Sequence, residues 1–475
     1  MKNYIHSIII GLNIALAMSF VSCNKDNSTD EPVNTTPAKY TIMFYGSGGG
    51  NVDGMLEGGV QDYLKAMGIG NKDVRFAVQW NMSKTGEYYS DYEKNQMFGE
   101  WGKCYRYELT DKTDFTKEGY KQYIYKDASE VPMYKQSTLV EFINWVKKNV
   151  PAENYIFVPT DHGGGFDLDH ETLTKAIIYD DNHNLKGLSS KTITVAFQET
   201  NTHLKAILWF CCLMGQIEVL TETAPICDYQ FASSHVSRTV MGVVSYLIEG
   251  INTYPDDFEK AAKLHKDKLE KIYIESFQNI PDEKIADVYH QENCDFSCWR
   301  SNKIAGINAE VKKLADFLVK YYKTDEKDNI DMATHQVYLF EKDGSYADLL
   351  DIPYNLQKNI KGEAALKEVE AILNSLTKAI DDARVTAIIG ANRVDAGGVC
   401  ILPEHKAFSI GISIYSKEKD EPYQKYGSNY ISTAFNDATQ WSNWLDINQA
   451  SVMDGINLNP CNDSIWELYW LVDPE

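Results

Sequence analysis

Five short apolar runs mark out the first half of the chain. Residues 40–45 (YTIMFY), 74–80 (VRFAVQW), 154–159 (NYIFVP), 203–210 (HLKAILWF) and 229–233 (YQFAS) are nearly continuous in apolar character. That is the pattern of strands buried on both faces, not of strands with one wet face. Residues 137–149 (STLVEFINWVKKN) are apolar at 139, 140, 142, 143, 145 and 146. This spacing predicts a helix, with Ser137 or Thr138 as its cap and lysines in its last turn. Residues 189–199 also read as helical, and the fourth strand runs into Cys211-Cys212-Leu-Met-Gly215 and then a helix through Leu220. Strands alternating with helices predict an α/β fold: a mostly parallel sheet, right-handed crossovers and helices on its faces.

Beyond residue 250 the pattern changes. Residues 255–276, 307–322 and 364–384 have helical periodicity, and 398–402 and 408–415 (FSIGISIY) read as strands. The expected organisation is a core over 38–250 followed by a helix-rich, partly β, C-terminal extension over 251–475. No repeat and no second apolar stretch of membrane-spanning length is present in the sequence.

The first 22 residues form a separate unit. Lys2 precedes an apolar stretch from Ile8 to Val21 that ends in small residues just before Cys23. A basic start, a short apolar run and a small-residue end are the layout of an export signal. The placement of Cys23 resembles the bacterial lipobox, in which the signal is removed and the cysteine acylated. The sequence therefore predicts membrane attachment through a lipid on Cys23. Residues 23–37 are polar and contain proline, as a tether is. Lys25 and Asp26 loosely resemble the surface-export signals of Bacteroidetes lipoproteins. The expected location is the cell envelope, at the outer membrane or cell surface.

Charge narrows the range of functions. Lys and Arg number 46 against 68 Asp and Glu, a formal charge of −22. A chain this acidic is repelled by nucleic acid and anionic lipid, so a nucleic-acid partner is not expected. Nine cysteines, at 23, 104, 211, 212, 227, 294, 298, 400 and 461, show no regular disulfide framework. Cys294 and Cys298 lack a second pair at zinc-site spacing, so no metal site is assigned to them.

Two residues carry the candidate chemistry. His162 follows the third strand in Asp161-His-Gly-Gly-Gly165, and Cys212 follows the fourth. In parallel sheets, functional residues gather at the carboxyl ends of strands, so the two share a rim if their strands are neighbours. The Gly-rich turn at 46–50 belongs to the same rim. A thiol is nucleophilic as thiolate, and a helix N-terminus at the strand-to-helix junction holding Cys212 would lower its pKa. An accessible imidazole takes or gives a proton near neutrality, and the glycines let a substrate backbone approach. The His precedes the Cys by 50 residues, the caspase-type order and spacing, although the local caspase Cys signature is absent. Together the two residues form a candidate Cys–His dyad for acyl transfer.

At these residues the chain resembles the clostripain family of cysteine peptidases, of the caspase-like clan. The resemblance lies in TIMFYGSGGGN (41–51), in STLVEFINWVKKNVPAENYIFVPTDHGGG (137–165), and in Asp180-Asp181. It continues from Leu185 to the segment holding Cys212-Leu-Met-Gly215 and Glu218. It covers about 40–245. It implies a caspase-like sheet and a thiol endopeptidase acting on proteins or peptides. Cys212 is then the nucleophile and His162 the acid/base, with the N–H groups of Gly163 and Cys212 as the oxyanion hole. No cofactor is required, although calcium dependence is known in the family. Asp180, Asp181, Asp167 and Asp169 are the oxygen donors it would have, but no EF-hand loop is present.

One departure from the family bears on specificity. The family usually has Asp-Ala before the nucleophile, the Asp flooring a pocket for Arg or Lys. Here Phe210-Cys211 stands there. Phe210 cannot pair with a cation, so a P1 preference other than Arg or Lys is expected. Two rival readings stand beside the peptidase. An esterase built on His162-Gly-Gly-Gly needs a Gly-x-Ser-x-Gly elbow, which the sequence lacks. A non-catalytic surface lipoprotein binding protein or glycan on a peptidase-like scaffold fits the acidic surface and the C-terminal tryptophans. Members of the family are often activated by cutting themselves after a basic residue beyond the His. Lys175 is the only Lys or Arg between His162 and Asp180, so Lys175–Ala176 is the candidate bond. Intact mass after incubation is expected to report cleavage at this bond in the wild type and none in Cys212→Ala; equal masses would dismiss self-processing.

Overall fold

The computed structural model describes residues 36–49, 52–54, 57–58, 61, 65, 73–86, 97–166, 177–234, 243–278, 295–337, 346–388, 413–415 and 430–448. The export signal, Cys23 and the tether up to residue 35 lie outside the described residues, as does the expected strand at 398–402. Among the described residues no helix is long and apolar enough to cross a membrane.

Nine strands form the main sheet. In chain order they are β1 (Ala38–Ser47), β2 (Val74–Asn81), β3 (Lys103–Leu109), β4 (Ile124–Asp127), β5 (Ala152–Thr160), β8 (Leu204–Leu208), β9 (Cys227–Ala232), β10 (Phe296–Arg300) and β12 (Arg384–Ile388). Two smaller pairs are β6 (Ile177–Asp180) with β7 (Lys186–Leu188), and β11 (Tyr346–Asp348) with β13 (Ser413–Tyr415). The order across the main sheet is β12-β10-β9-β8-β5-β1-β2-β3-β4. Its centre, β9-β8-β5-β1-β2, is parallel throughout. These are the five strands that the apolar runs predict. Both flanks are antiparallel: β3 and β4 on one side, β10 and β12 on the other. The sheet is therefore mixed, with a parallel block at its middle.

Burial on both faces explains the apolar runs. On one face Met43, Tyr45, Phe157, Ile207 and Trp209 pack under α1 (Gln136–Asn149) and α2 (Ser190–Glu199). The same cluster takes in apolar residues of α3 (Ile217–Thr223). On the other face Ile42, Phe44, Val78, Val158 and Leu208 meet α4 (Val243–Thr253) and α5 (Phe258–Gln278). The α1 cap differs from expectation. Lys135 is the cap and makes no side-chain bond, while Ser137 and Thr138 lie inside the first turn. Ser189 caps α2, its hydroxyl accepting the Thr192 N–H at 3.0 Å.

The second half completes this sheet as well as covering it. β10 and β12 add to β9, and Arg300 on β10 grips Glu259 of α5 through two bonds of 2.7 and 2.8 Å. The same guanidinium donates to the carbonyls of Asp382 and Arg384 at 3.0 and 3.2 Å. Helices α6 (Ile304–Tyr321) and α9 (Glu363–Ala383) extend the first core, and between them lie α7 (Lys327–His335) and α8 (Asp351–Asn359). An unpaired β9 edge and an uncovered apolar face would expose a template for aggregation. A chain ending before Phe258 is accordingly expected to show no cooperative thermal transition by circular dichroism, while the full chain shows one. A cooperative melt of the fragment would mean that the first half folds alone.

Candidate active site

The pairing of β5 with β8 brings the candidate residues together. Thr160 and Phe210 form a parallel bridge just past the regular strands, and the Phe210 N–H donates to the Pro159 carbonyl at 3.1 Å. Asp161-His162 and Cys211-Cys212 therefore leave neighbouring strands at the same level. The contact between the two turns is backbone to backbone at Gly163. A Cβ there would lie 2.1 Å from the Cys212 carbonyl oxygen and 2.8 Å from the Cys212 nitrogen. Only glycine permits that approach.

Each side chain has a distinct environment. Cys212 is in no disulfide and is half-buried, whereas Cys211 is fully enclosed. The Cys211 thiol points to the Pro159 carbonyl at 3.3 Å, and burial pushes its pKa well up. Of the adjacent pair, Cys212 is the one open to a ligand. Leu213 follows at φ +63°, a left-handed conformation that costs a branched residue energy and turns the chain sharply. The His162 ring is exposed at the surface, yet the protein packed around it lowers its pKa below 6.5 by desolvation. Near pH 7 it is a neutral imidazole with a free nitrogen lone pair. Asp161 is buried beneath it and accepts the His162 N–H on Oδ1 at 2.5 Å, which fixes the start of the turn. Burial raises the Asp161 carboxyl well above the usual range.

The thiol does not sit at a helix N-terminus. Helix α3 begins at Ile217, with Gln216 as its cap. Before it starts, the chain is held sideways: the Gly215 N–H donates to the Ser233 carbonyl at 2.7 Å, and the Ser413 N–H donates to the Gly215 carbonyl at 2.9 Å. The first turn of α3 is thus too far along the chain to offer its free N–H groups to Cys212.

Phe210 lies on the opposite face of its strand from Cys211. Its half-buried ring meets Phe44 edge-on, with centroids 6.2 Å apart. Asp180 accepts the Met133 N–H and faces His183 Nδ1, both at 2.8 Å on Oδ2, and accepts the Asn182 N–H at 3.1 Å on Oδ1. Its oxygens are already engaged, so Asp180 fits poorly as a calcium ligand. Among the described residues no three His, Cys, Asp or Glu side chains gather as a metal site would need. Asp167, Asp169, Lys175 and Ala176 lie outside the described residues. Among the described residues, Cys104, Cys211, Cys212, Cys227 and Cys298 are in no disulfide.

Several neighbours of the site gave no sequence signal. Asp53 backs the Gly-rich turn after β1, taking the Ser83 N–H at 3.0 Å and its hydroxyl at 2.7 Å; burial pushes its carboxyl to about 6. Tyr346 donates to the Gly164 carbonyl at 2.7 Å across 182 residues of sequence. No local pattern could have revealed a partner so distant.

A three-layer α/β sandwich with a half-buried thiol and an exposed imidazole on adjoining strand ends defines the class of caspase-like cysteine-peptidase folds. Two solved structures share that fold. A secreted C11 cysteine protease from Bacteroides thetaiotaomicron, in complex with an irreversible peptide inhibitor, superposes with a TM-score of 0.55 at 12% identity. An inactive zymogen C11 protease from Parabacteroides distasonis gives 0.53 at 16%. Each match covers 85% of this chain and 99% of the other. Within the class the chain belongs to the clostripain family, peptidase family C11, whose profile matches residues 106–447. Clostripain of Hathewaya histolytica is 25% identical over 222 residues, spanning 43% of this chain and 41% of that protein.

The contact at Gly163 is open to direct test. Gly163→Ala is expected to cost about 1–3 kcal/mol of stability in urea unfolding, as overpacking does. Gly306→Ala, in α6 with nothing within 4 Å of the new methyl, is expected to gain about 0.5–1 kcal/mol. Equal effects would show that the two turns are not in contact.

Proposed function

We propose that the chain is a cysteine endopeptidase. The observation that carries this is the Gly163–Cys212 backbone contact, which sets the thiol-bearing turn against the imidazole-bearing turn. In the reaction, Cys212 Sγ attacks the scissile carbonyl carbon while His162 takes the thiol proton. The tetrahedral oxyanion lies against the N–H groups of Gly163 and Cys212. Collapse forms a thioester and expels the amine, to which His162 returns the proton. Water, deprotonated by His162, then hydrolyses the thioester and regenerates the thiol.

The P1 preference follows from Phe210. An aromatic ring packed on Phe44 supplies apolar surface where the family usually has an acid, so an apolar or aromatic P1 residue is favoured. Substrates are proteins or peptides met outside the cell, with the enzyme exported and held to the envelope by a lipid on Cys23. The structural neighbour from Bacteroides thetaiotaomicron is described as secreted, which is consistent with export. Family membership supports self-cleavage at Lys175–Ala176, although a pocket floored by Phe210 disfavours a cut after Lys; the reaction itself requires no cofactor.

Cleavage of a diverse peptide pool by the purified chain tests the whole reading. Cuts after apolar or aromatic residues are expected, reduced by on the order of 10³-fold or more in Cys212→Ala and in His162→Ala. Cutting best after Arg or Lys would refute the pocket. Hydrolysis that survives loss of Cys212 would refute the mechanism, and a folded wild type that cuts nothing would favour a binding protein on the same scaffold.

A further inference from the structure

Both catalytic turns are held by residues from the far half of the chain. The His turn is fastened to the Cys turn at two points. The first is the Gly163–Cys212 contact. The second is Gln216, whose Oε1 accepts the Phe166 N–H at 3.1 Å. Gly165, at φ +91°, lies so close to Gln216 that a Cβ would meet its Nε2 at 2.1 Å. Between these points the Tyr346 hydroxyl donates to the Gly164 carbonyl at 2.7 Å.

The Cys turn is held from the same side. β13 lies beside Gln216, and the Tyr415 N–H donates to Glu218 Oε1 at 2.9 Å. The Tyr430 hydroxyl donates to the same oxygen, also at 2.9 Å. Glu218 lies in the first turn of α3, five residues after Leu213 has turned the chain, and it is fully buried. The aromatic rings join the two anchors. Phe166 of the His turn packs edge-on against both Tyr415 and Tyr430, with centroids 5.1 Å away in each case. Tyr346 stands 6.3 Å from Tyr415, and their strands β11 and β13 are paired.

We infer that Tyr346 and Tyr430 are positioning residues, whose hydroxyl groups lock the His162 turn and the Cys212 turn against each other from the second half of the chain. This rests on the proposed peptidase reading of those turns. Both tyrosines act through the turns that carry the reacting groups. Tyr346 holds the peptide plane beyond Gly164 and so the direction of the turn that carries Gly163. Tyr430 holds Glu218 and so the exit of the turn that carries Cys212. The catalytic consequence is the alignment of two N–H groups, which matters for an oxyanion and not for the thiol's own reactivity. A carboxylate as enclosed as Glu218 is costly unless donors reach it, which gives its two donors a structural reason. Burial raises its carboxyl to about 7.

Tyr346→Phe and Tyr430→Phe keep both rings and remove only the hydroxyls. In the full chain, each is expected to lower kcat about tenfold, with KM within about twofold. The thermal midpoint should move by no more than about 4 °C. Alkylation of Cys212 by iodoacetamide, which uses no oxyanion hole, should keep its rate and pH profile. Amide exchange should quicken in residues 162–166 for Tyr346→Phe and in 211–218 for Tyr430→Phe. Unchanged exchange and unchanged kcat would overturn the inference. So would a joint fall of kcat, alkylation rate and thermal midpoint, since that marks general destabilisation. If the wild type hydrolyses nothing, the peptidase reading fails, while the exchange rates still decide whether the two hydroxyls hold the turns.

Discussion

Two turns from adjacent parallel strands touch through bare backbone at Gly163, and the rest of the structure serves that contact. A side chain at this position would occupy the space of the Cys212 carbonyl, which lies 2.1 Å from where the Cβ would be. The consequence is chemical. With the backbones that close, the Gly163 and Cys212 N–H groups belong to one small region beside an accessible thiol. The contact survives because the register of β5 with β8, continued by the Thr160–Phe210 bridge, brings the chain out of both strands at the same level, and burial of both strands fixes that register. Asp161 sets the entry to one turn, and the strained Leu213 sets the exit from the other.

The second half of the chain gains a purpose from this geometry. Two of its strands extend the sheet beyond β9, and Arg300 fastens them to α5 and to the start of β12. Its aromatic residues reach the rim where the His and Cys turns lie. The long sequence separations of these contacts, 182 for Tyr346 to Gly164 and 212 for Tyr430 to Glu218, mean that the rim is complete only when the whole chain has folded. Fold and site are thereby coupled, because the bonds that orient the turns also close the core.

The centre of the fold was legible in the sequence, and so was the chemistry of its rim. β1, β2, β5, β8 and β9 are buried on both faces, so each appears as an unbroken apolar run. His162 and Cys212 stood out because reactive side chains beside glycines end two of those runs. The flanks were less legible. β12 (RVTAI) is mostly half-exposed, and β4 (IYKD) is short, half-exposed and ends in charge, so neither carries a buried-strand signature. The surroundings of the thiol were less legible: a strand-to-helix junction suggests a helix N-terminus at Cys212, but φ at Leu213 and the lateral bonds of Gly215 delay α3 to Ile217. The roles of Tyr346 and Tyr430 were beyond local reading, since they depend on which distant segments the topology brings to one rim.

The most direct measurement is a crystal structure of the chain trapped with a peptidyl ketone that forms a covalent bond to a thiol. The account predicts a bond from Cys212 Sγ to the inhibitor, with the former carbonyl oxygen about 2.7–3.1 Å from the nitrogens of both Gly163 and Cys212. A bond at another cysteine, or an oxygen turned away from those two N–H groups, would contradict it.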